Sequence, residues 1–376
     1  MEFNINRGIL TEALKKVMGA ISNKPVIPIL SGVQVVARAE GLTFTGSDSD
    51  LSIKSFISAK ELDDIEIVEE GTIVLPAKQL SNIAKAMPED KINIKKNNLK
   101  VIISSGKSNF SLNGTDGQEY PQLPEIDGMS FSVKGKDLKT LIDKTLYAVA
   151  KMETRPVLTG VNLFFDSNKL GMVATDSHRL SKLVGREIDG NQLSESVTLP
   201  AKTLKELPSI IGESENVAVQ LKNSQMLFKA DDVFVLSRLI EGTFPQTDRL
   251  IPTEYKTALK VNKKSFISSI ERSSILAENS VVTFKINDKN SGIFKTIELS
   301  HNISEIGQSK EDIIVDSIEG DEITLSFNSK YMVEALKRID EEIVVIKFNG
   351  PMRPFVINGE NNIEHVQIIL PVRTYN

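Results

Sequence analysis

The sequence predicts an α+β protein of three repeated domains, each with two helices packed on antiparallel sheets. With 376 residues, the chain exceeds one ordinary hydrophobic core, since domains cluster near roughly 100–150 residues. Short motifs recur at intervals of about 125 residues, and helical patterns alternate with strand patterns along the chain. We therefore expect domains at residues 1–127, 128–250 and 251–376.

Several motifs carry the repeat. The string LPAK at residues 75–78 returns at 199–202, and PILSG at 28–32 returns as PVLTG at 156–160. The string DSDLS at 48–52 aligns with DSHRLS at 176–181 if one residue is inserted. The third copy is fainter, with SFNSKYM at residues 326–332 in the place of the LPAK helix start. Such self-similarity indicates that one structural unit is built three times.

Six amphipathic patterns predict six helices, one about every 64 residues. They begin near Arg7, Pro76, Lys136, Pro200, Asn262 and Asn328. The first turn of a helix tolerates proline, which fits Pro76 and Pro200. Inside a helix proline removes a hydrogen bond, so we expect Pro208 to bend or end the fourth helix early.

Between the helices the apolar residues alternate with period two, which predicts antiparallel strands. Residues 30–35 and 42–45 flank a turn at Glu40 and Gly41, and residues 91–95 and 99–102 flank Asn97 and Asn98. Both are hairpin signals. Each helix thus comes with three or four strands, and two such units make one domain. Charged, breaker-rich stretches at 119–128 and 242–255 are the expected domain junctions.

The charges are unevenly distributed along the chain. The whole sequence has 45 Lys and Arg against 50 Asp and Glu, a net charge of −5. Each of the six predicted helices nevertheless carries more basic than acidic residues, so the rest of the chain is acidic. Helices facing one way would form a positive surface that attracts a phosphate backbone without reading sequence. Because these helices lack the interleaved aromatic residues of single-strand binders, we expect contact with a duplex.

Composition excludes several other classes of protein. With no cysteine there is no disulfide framework, thiolate nucleophile or cysteine-bound zinc. We also expect no membrane span and no signal peptide, which indicates a cytoplasmic protein. No nucleotide-binding or metal-binding motif is present, so we expect neither catalysis nor a cofactor nor a metal.

Two rival functions remain open at this stage. A metal-dependent hydrolase could use Asp48, Asp50, Asp176 and His178, because two aspartates on one strand would point to the same face. A repeat protein could instead bind another polyanion through its basic helices. The hydrolase requires acidic side chains that converge on one site, and the polyanion-binding protein requires only a positively charged surface. The sequence favours a third function, duplex binding without catalysis.

Six strings together resemble one known family from end to end. They are KPVIPILSG at 24–32, FTGSDSDLS at 44–52, ETRPVLTGV at 153–161, ATDSHRL at 174–180, FP at 244–245 and LPVRTY at 370–375. The chain resembles the bacterial beta sliding clamps, the processivity subunits of the replicative DNA polymerase III holoenzyme, in their low-GC Gram-positive form. The resemblance implies a DNA-clamp fold whose head-to-tail homodimer closes a six-domain ring, with the helices lining the hole. Such a ring encircles duplex DNA, tethers the polymerase without catalysing its reaction, and associates with the nucleoid.

The resemblance also implies which cations face the DNA. They are Lys24 in a loop, Lys78, Lys85 and Lys202 on helices, and Lys151 and Arg155 around the loop after the third helix. Relatives can carry arginine where Lys24 stands, and only arginine binds phosphate in a bidentate manner. At each of these positions an ordinary solvated charge is the alternative.

A second implied site is a groove between the middle and last domains that binds short peptide motifs. The expected occupants are the replicative polymerase, the clamp-loader ATPase and repair polymerases. Apolar residues would form the trough, and Arg and His at its rim would orient the peptide. The matching positions are Leu158, Thr175, Ser177, His178, Arg179, Leu180, Pro245, Arg249, Leu250, Ile368, Leu370, Pro371, Val372 and Arg373.

Two details of these implied contacts can be stated from the residues. Leu370 and Val372 stand where some relatives carry the more adaptable methionine, so peptide preference would differ in detail. A C-terminal strand that is simply part of the core is the alternative. For the dimer contact, the resemblance implies an apolar pair on a helix of the third domain, Ile275 and Leu276, against Phe110 of the first.

Overall fold

The computed structural model describes residues 1–22, 24–60, 64–122, 128–152, 154–190, 196–277, 280–286, 295–301 and 307–373. It contains six α-helices within these ranges. Their bounds are α1 Arg7–Met18, α2 Ala77–Ala86, α3 Gly135–Thr145, α4 Ala201–Ile210, α5 Lys263–Ser273 and α6 Ser329–Leu336.

The described residues form 28 strands, which we number in chain order. The first fifteen are β1 Glu2–Asn6, β2 Gly32–Arg38, β3 Gly41–Ser47, β4 Leu51–Ser58, β5 Ile65–Glu69, β6 Gly71–Pro76, β7 Lys91–Asn97, β8 Lys100–Ser105, β9 Ser108–Asn113, β10 Thr115–Asp116, β11 Met129–Lys134, β12 Gly160–Asp166, β13 Lys169–Thr175, β14 Arg179–Glu187 and β15 Asp189–Gly190. The others are β16 Val197–Pro200, β17 Asn216–Lys222, β18 Gln225–Ala230, β19 Val233–Arg238, β20 Thr257–Asn262, β21 Val281–Ile286, β22 Lys295–His301, β23 Ser309–Val315, β24 Ser317–Gly320, β25 Ile323–Asn328, β26 Ile343–Phe348, β27 Phe355–Gly359 and β28 His365–Ile369.

The chain divides into two compact units. The first comprises Met1–Leu138, Ile188–Gln192 and Lys202–Leu239, and the second comprises Lys139–Glu187, Leu193–Ala201 and Ile240–Asn376. The second repeat of the sequence is therefore shared between the two. This division is not visible in the motifs, because it follows from strand pairing between repeats.

The first unit contains two antiparallel sheets. Five strands run in the order β5-β1-β7-β8-β9, and ten run in the order β10-β6-β2-β3-β4-β19-β18-β17-β11-β15. Strand β4 of the first repeat pairs with β19 of the second, with Leu51 opposite Ser237. The large sheet therefore continues from one repeat into the next. Helix α1 buries Leu10, Leu14 and Val17, which is the apolar stripe that its sequence predicted.

The second unit repeats this plan. Nine strands run in the order β16-β12-β13-β14-β28-β27-β26-β20-β24, and four run in the order β23-β22-β21-β25. Here β14 pairs with β28, which places Arg179 opposite Ile369. The core contains packed phenylalanine rings, including Phe284 and Phe348, which stack with centroids 5.3 Å apart.

The six helices begin within a residue or so of the predicted starts. Pro76 and Pro200 differ in role from the prediction, since each is the last residue of a strand and precedes the helix. Asn262 and Asn328 are N-caps whose side chains accept backbone N–H groups, which explains the sharp helix starts there. Pro208 lies inside α4, which ends two residues later.

The turn between β3 and β4 corrects two expectations. Asp48 and Asp50 lie in this turn and not on a strand, so strand alternation does not orient them. The turn also matches the one between β13 and β14 without an inserted residue. The Asp48 N–H donates to the Leu51 carbonyl, and the Asp176 N–H donates to the Arg179 carbonyl in the same way. Leu51 and Arg179 are therefore the equivalent residues.

No helix among the described residues is long and apolar enough to cross a membrane. The described part of the junction stretches has little regular structure, apart from 3₁₀ turns at Gly117–Glu119 and Thr247–Leu250. Residues 123–127 of the first junction lie outside the described residues.

Candidate DNA-contacting and peptide-binding sites

Helix α2 presents two of the predicted DNA contacts. Its Leu80 and Ala84 are buried, while Lys78 and Lys85 lie on the exposed face. Within the described part of the chain neither lysine forms an ion pair. Both ammonium groups therefore remain available to a phosphate backbone.

Lys202 on α4 has a different environment. Its ammonium group is ion-paired with the Asp48 carboxylate, whose side chain is only 12% exposed. The other Asp48 oxygen accepts the backbone N–H groups of Asp50 and Leu51 at 3.1 and 2.8 Å. Asp48 thus both closes its turn and neutralises Lys202.

The remaining predicted DNA contacts lie in loops. Lys24 precedes the 3₁₀ turn Pro28–Ser31, and Lys151 and Arg155 precede the 3₁₀ turn Pro156–Thr159. All three side chains are exposed. Each loop also exposes an apolar residue, Val26 in the first and Met152 in the second.

Not every basic helix residue belongs to a free positive surface, and this corrects the charge argument. Lys144 of α3 is buried, and its Nζ donates to the Arg338 carbonyl at 2.5 Å and to Asp340 at 2.6 Å. Arg338 itself is paired with Asp143. Such cations hold the second unit together and contribute little attraction for DNA.

The predicted groove contains a separate apolar cluster on the nine-stranded sheet. Its buried members are Leu158, Val173, Leu180, Phe244, Val356 and Ile368. Among the exposed groove residues, Leu250 is 50% and Leu370 is 40% accessible. Ser177, His178, Pro245, Arg249 and Arg373 are also exposed, and Pro371 and Val372 are half-buried. The C-terminal strand is therefore core at Ile368, whereas Leu370, just after its end, is at the surface.

The turn between β13 and β14 positions His178 and Leu370. Asp176 Oδ1 accepts the N–H groups of His178 and Arg179, both at 3.0 Å. Ser177 has a φ of 75°, a left-handed conformation that costs a non-glycine residue free energy. The Leu370 N–H donates to the His178 carbonyl at 2.9 Å, so the C-terminal segment is attached directly to this turn.

Arg179 is not a rim residue, which corrects the prediction. Its side chain is 4% exposed, and its Nε donates to Asp176 at 3.0 Å. Its two terminal nitrogens donate to Glu334 and to the Tyr147 carbonyl. Since its donors have protein partners, Arg179 fixes the turn and does not orient a peptide carboxylate.

Two tyrosines enclose the Arg179 guanidinium. Its carbon lies 4.4 Å from the Tyr331 ring centroid and 5.2 Å from that of Tyr147, a stabilising cation–π arrangement. Burial raises the pKa of Tyr147 far above its ordinary value. The sequence pattern gave no signal for Glu334, because its partner Arg179 is 155 positions away.

A buried histidine lies close to this network. His365 of β28 is 3% exposed, and its Nε2 lies 3.1 Å from the Ser181 hydroxyl. Burial, and secondly the Lys144 ammonium, lower the pKa of His365 to about 4. The imidazole is therefore neutral at physiological pH. Gln367 on the same strand is fully buried, and its amide nitrogen has no partner among the described atoms.

Predicted residues of both functions line one cleft of about 480 Å³ in the second unit. Lys151 and Arg155 lie there beside Leu158 and His178. The resemblance assigned Lys151 and Arg155 to DNA contact, and Leu158 and His178 to peptide binding. The structure brings them together, and adds Lys330, Tyr331 and Glu334 of α6 to the same wall.

The residues predicted for self-association lie on the surface. Phe110 is 42% exposed on β9, an edge strand of the five-stranded sheet. Ile275 is 77% exposed and Leu276 is half-buried. Both lie in the turn after α5 and not on the helix, because the helix ends at Ser273.

The hydrolase alternative finds no grouped ligands in the described part of the chain, where no three His, Asp or Glu side chains could hold one metal ion. Asp48 pairs with Lys202, and Asp176 pairs with Arg179. The two aspartates thus have structural partners.

Comparison with known proteins covers the whole chain. The N-terminal, central and C-terminal domains of the DNA polymerase III beta subunit family match residues 1–124, 132–246 and 248–373. The beta sliding clamp of Bacillus subtilis strain 168 is 42% identical over 100% of both chains. That of Staphylococcus epidermidis is 38% identical, also over 100% of both.

Solved structures agree with this. The crystal structure of the DNA polymerase sliding clamp from Bacillus subtilis matches with a TM-score of 0.94 at 42% identity, over 100% of both chains. The DNA polymerase III beta chain of Streptococcus pneumoniae matches with a TM-score of 0.94 at 34% identity, over 99% of this chain and 100% of that one. The three-domain clamp fold predicted from the sequence is thereby confirmed. With full-length relatives of this similarity and three consecutive domain matches, the chain belongs to the DNA polymerase III beta subunit family, the beta sliding clamps.

Proposed function

We propose that the chain acts as a sliding clamp, a non-catalytic processivity factor that encircles duplex DNA and tethers DNA polymerase. The observation that carries this proposal is the end-to-end match to sliding clamps. Exposed cations support it, because Lys78 and Lys85 on α2 and the loop residues Lys24, Lys151 and Arg155 can contact phosphates without fixed register. The site of action would be the cytoplasmic nucleoid.

Topological retention tests the proposal directly. Clamp loaded onto a nicked plasmid by the clamp-loader ATPase of the same organism should stay bound through gel filtration at high salt. It should leave when a restriction enzyme linearises the plasmid, because a ring slides off a free end. Equal retention on circular and linear DNA, matched by heparin binding, would favour the polyanion-binding alternative.

We further propose that two copies close the ring head to tail through Phe110 of one and Ile275 and Leu276 of the other. Exposed edges support this. Strand β9 ends the five-stranded sheet of the first unit, and β23 ends the four-stranded sheet of the second. Ile314 on β23 is 61% exposed, and unpaired edges of this kind are suited to pairing with another chain.

Charge substitution tests the dimer. Ile275→Glu with Leu276→Glu should give monomers in sedimentation velocity, since two carboxylates cannot be desolvated at an apolar contact. Ile363→Glu is the matched control, because Ile363 is equally exposed at 78% but lies in the loop between β27 and β28. A dimer that survives both glutamates would rule out this contact.

The groove of the second unit is proposed to bind short apolar peptides of the replicative polymerase, the clamp loader and repair polymerases. Support comes from its buried cluster at Leu158, Leu180 and Ile368 with the exposed Leu370 and Leu250 beside it. A fluorescein-labelled peptide with two leucines and one phenylalanine should bind with one site per chain. A peptide with these three residues replaced by serine should not bind.

A further inference from the structure

The segment that follows the second repeat, residues 242–255, crosses the face of the nine-stranded sheet that carries the groove cluster. Phe244 is 9% exposed within that cluster, and Ile251 packs against it. Between them lies the 3₁₀ turn Thr247–Leu250. We call residues 244–251 the wall segment, because it holds three of the groove positions, Pro245, Arg249 and Leu250.

One ion pair attaches the middle of the wall segment to the sheet. Asp248 Oδ1 lies 2.5 Å from Lys182 Nζ, and among the described residues this is the segment's only ion pair. The Lys182 side chain is 18% exposed whereas that of Asp248 is 76% exposed. The lysine side chain is therefore held by its surroundings, whereas the aspartate side chain is held mainly by the lysine.

The sheet holds Lys182 in place. It lies in the middle of β14, opposite Val173 on one side and Val366 on the other. Its Nζ is 4.8 Å from the Phe164 ring centroid, which favours the cation. A half-buried ammonium group with an aromatic face beneath it needs a carboxylate above it, and Asp248 supplies that carboxylate.

The consequence for the groove follows from chain geometry. Arg249 and Leu250 come directly after Asp248 in a single 3₁₀ turn, and Thr247 before it is buried. The Ile251 N–H donates to the Asp248 carbonyl at 3.3 Å. If Asp248 leaves Lys182, the turn loses its only charged attachment and the two groove side chains move with it.

We infer that Lys182 is a positioning residue for the peptide groove, which holds the wall segment against the sheet through Asp248 without touching the peptide. This inference rests on the proposed peptide-binding function. Because the pair is partly solvated and the apolar contacts of Phe244 and Ile251 remain, its loss loosens the segment without unfolding it.

The first part of the experiment measures the segment itself. Lys182→Met and Asp248→Asn should speed hydrogen–deuterium exchange of peptides covering residues 244–251, with the rest of the chain unchanged. The charge-swapped double variant Lys182→Glu with Asp248→Lys should restore slow exchange. The matched control is Lys54→Met, since Lys54 occupies the equivalent position on β4, lies 5.6 Å from the Phe234 ring centroid and has no ion pair among the described residues.

The second part measures binding of the labelled Leu-Leu-Phe peptide by fluorescence anisotropy. Lys182→Met and Asp248→Asn should each weaken binding by about twofold to fivefold, the range expected for one partly solvated ion pair. Lys182→Arg and the charge swap should regain most of the affinity, and Lys54→Met should bind like wild type. The thermal midpoint of all variants should stay close to that of wild type.

The outcomes separate the two proposals. Unchanged exchange in residues 244–251 of Lys182→Met would overturn the inference, as would faster exchange with unaltered peptide affinity. If the two variants exchange faster but the wild-type protein binds no peptide, the ion pair attaches the segment and the proposed peptide groove is rejected. An equal loss of affinity in the charge swap would also count against positioning, because it would mean that lysine itself contacts the peptide.

Discussion

At two places in this chain a strand of one repeat pairs with a strand of the next. These two junctions have the same backbone arrangement but different side chains. In the first junction β4 pairs with β19, and in the second β14 pairs with β28. Leu51 of the first and Arg179 of the second occupy the same place after the same aspartate turn. Leu51 is apolar and 1% exposed, whereas Arg179 is a buried cation.

The inversion continues along the partner strand. By register, Val233 and Val235 of β19 correspond to His365 and Gln367 of β28, and all four are buried. On the exposed side the pattern reverses. Arg238, 3.7 Å from Asp50, corresponds to Leu370, whose N–H bonds to His178 as that of Arg238 bonds to Asp50.

At these four compared positions the second junction buries three polar side chains and exposes Leu370, whereas the first buries three apolar side chains and exposes Arg238. A buried aromatic ring is common to both junctions, since Tyr120 packs with Leu30 and Val74 in the first as Phe244 packs with Leu158 in the second. We conclude that one backbone plan yields a charged surface at the first junction and an apolar surface at the second, depending on where the apolar residues are placed.

The largest expected effect comes from placing methionine at the two equivalent positions. Arg179→Met leaves the mostly buried Asp176 carboxylate without its partner and should lower the free energy of unfolding by about 4 kcal/mol. Leu51→Met conserves volume in an apolar site and should cost less than about 1.5 kcal/mol. Urea denaturation followed by circular dichroism measures both. Similar losses of unfolding free energy in Arg179→Met and Leu51→Met would contradict the difference that we describe between the two junctions.

A somewhat smaller effect is expected from pH. In the folded chain His365 stays neutral down to a pKa of about 4, while in the unfolded chain it takes up a proton near its ordinary pKa of about 6.5. The unfolded state therefore binds more protons in this window, and folding loses up to about 3 kcal/mol as the pH falls from about 6.5 to 4. Above about pH 6.5 His365 has no effect on stability.

The first junction supplies the variant that checks this. His365→Val, which copies Val233, should make stability less dependent on pH between 6.5 and 4 than in wild type, as measured by thermal unfolding across that range. His178→Asn is the control, because His178 is exposed and should leave the profile unaltered. A profile of His365→Val that overlays wild type would show that the buried imidazole is not responsible.

Next in size is an exchange on the exposed side. Leu370→Arg copies Arg238 into the groove and should weaken binding of the labelled apolar peptide at least about tenfold, since a cation replaces apolar contact. The reverse change, Arg238→Leu, should not create a second site, because the exposed carboxylate of Asp50 stays beside that position. A binding titration measures both affinity and stoichiometry. Two sites per chain in Arg238→Leu would break the comparison.

The smallest effect concerns the lysines that we propose to contact DNA. Lys78→Gln should reduce the slope of log Kobs against log salt by about 0.9 for a linear duplex, as expected for one phosphate contact. Lys202→Gln should reduce it less, because Asp48 already neutralises that ammonium group. Titrations at four salt concentrations give the slopes. A larger change for Lys202→Gln than for Lys78→Gln would reject Asp48 as the cause.

Much of the fold could be predicted from the sequence because its signals are local. Amphipathic spacing gave the six helices, and the caps Asn262 and Asn328 mark two of their starts. The candidate sites were less predictable. Arg179 was assigned to the rim, yet it is buried beneath it, because Glu334 and Tyr331 come from a helix more than 150 positions away.

The sequence by itself determined the three-fold repeat, the order of helices and strands, the family and the excess of basic residues on the helices. These depend on composition and on periodicity within a few turns of chain. The tertiary structure alone decided which of those cations are ion-paired: Lys144 is, whereas Lys78 has no ion pair among the described residues. It also decided which junction exposes apolar residues, because that depends on the register between β14 and β28, strands from distant parts of the chain. Pairing over such distances is set by the packing of whole faces, which no local pattern encodes.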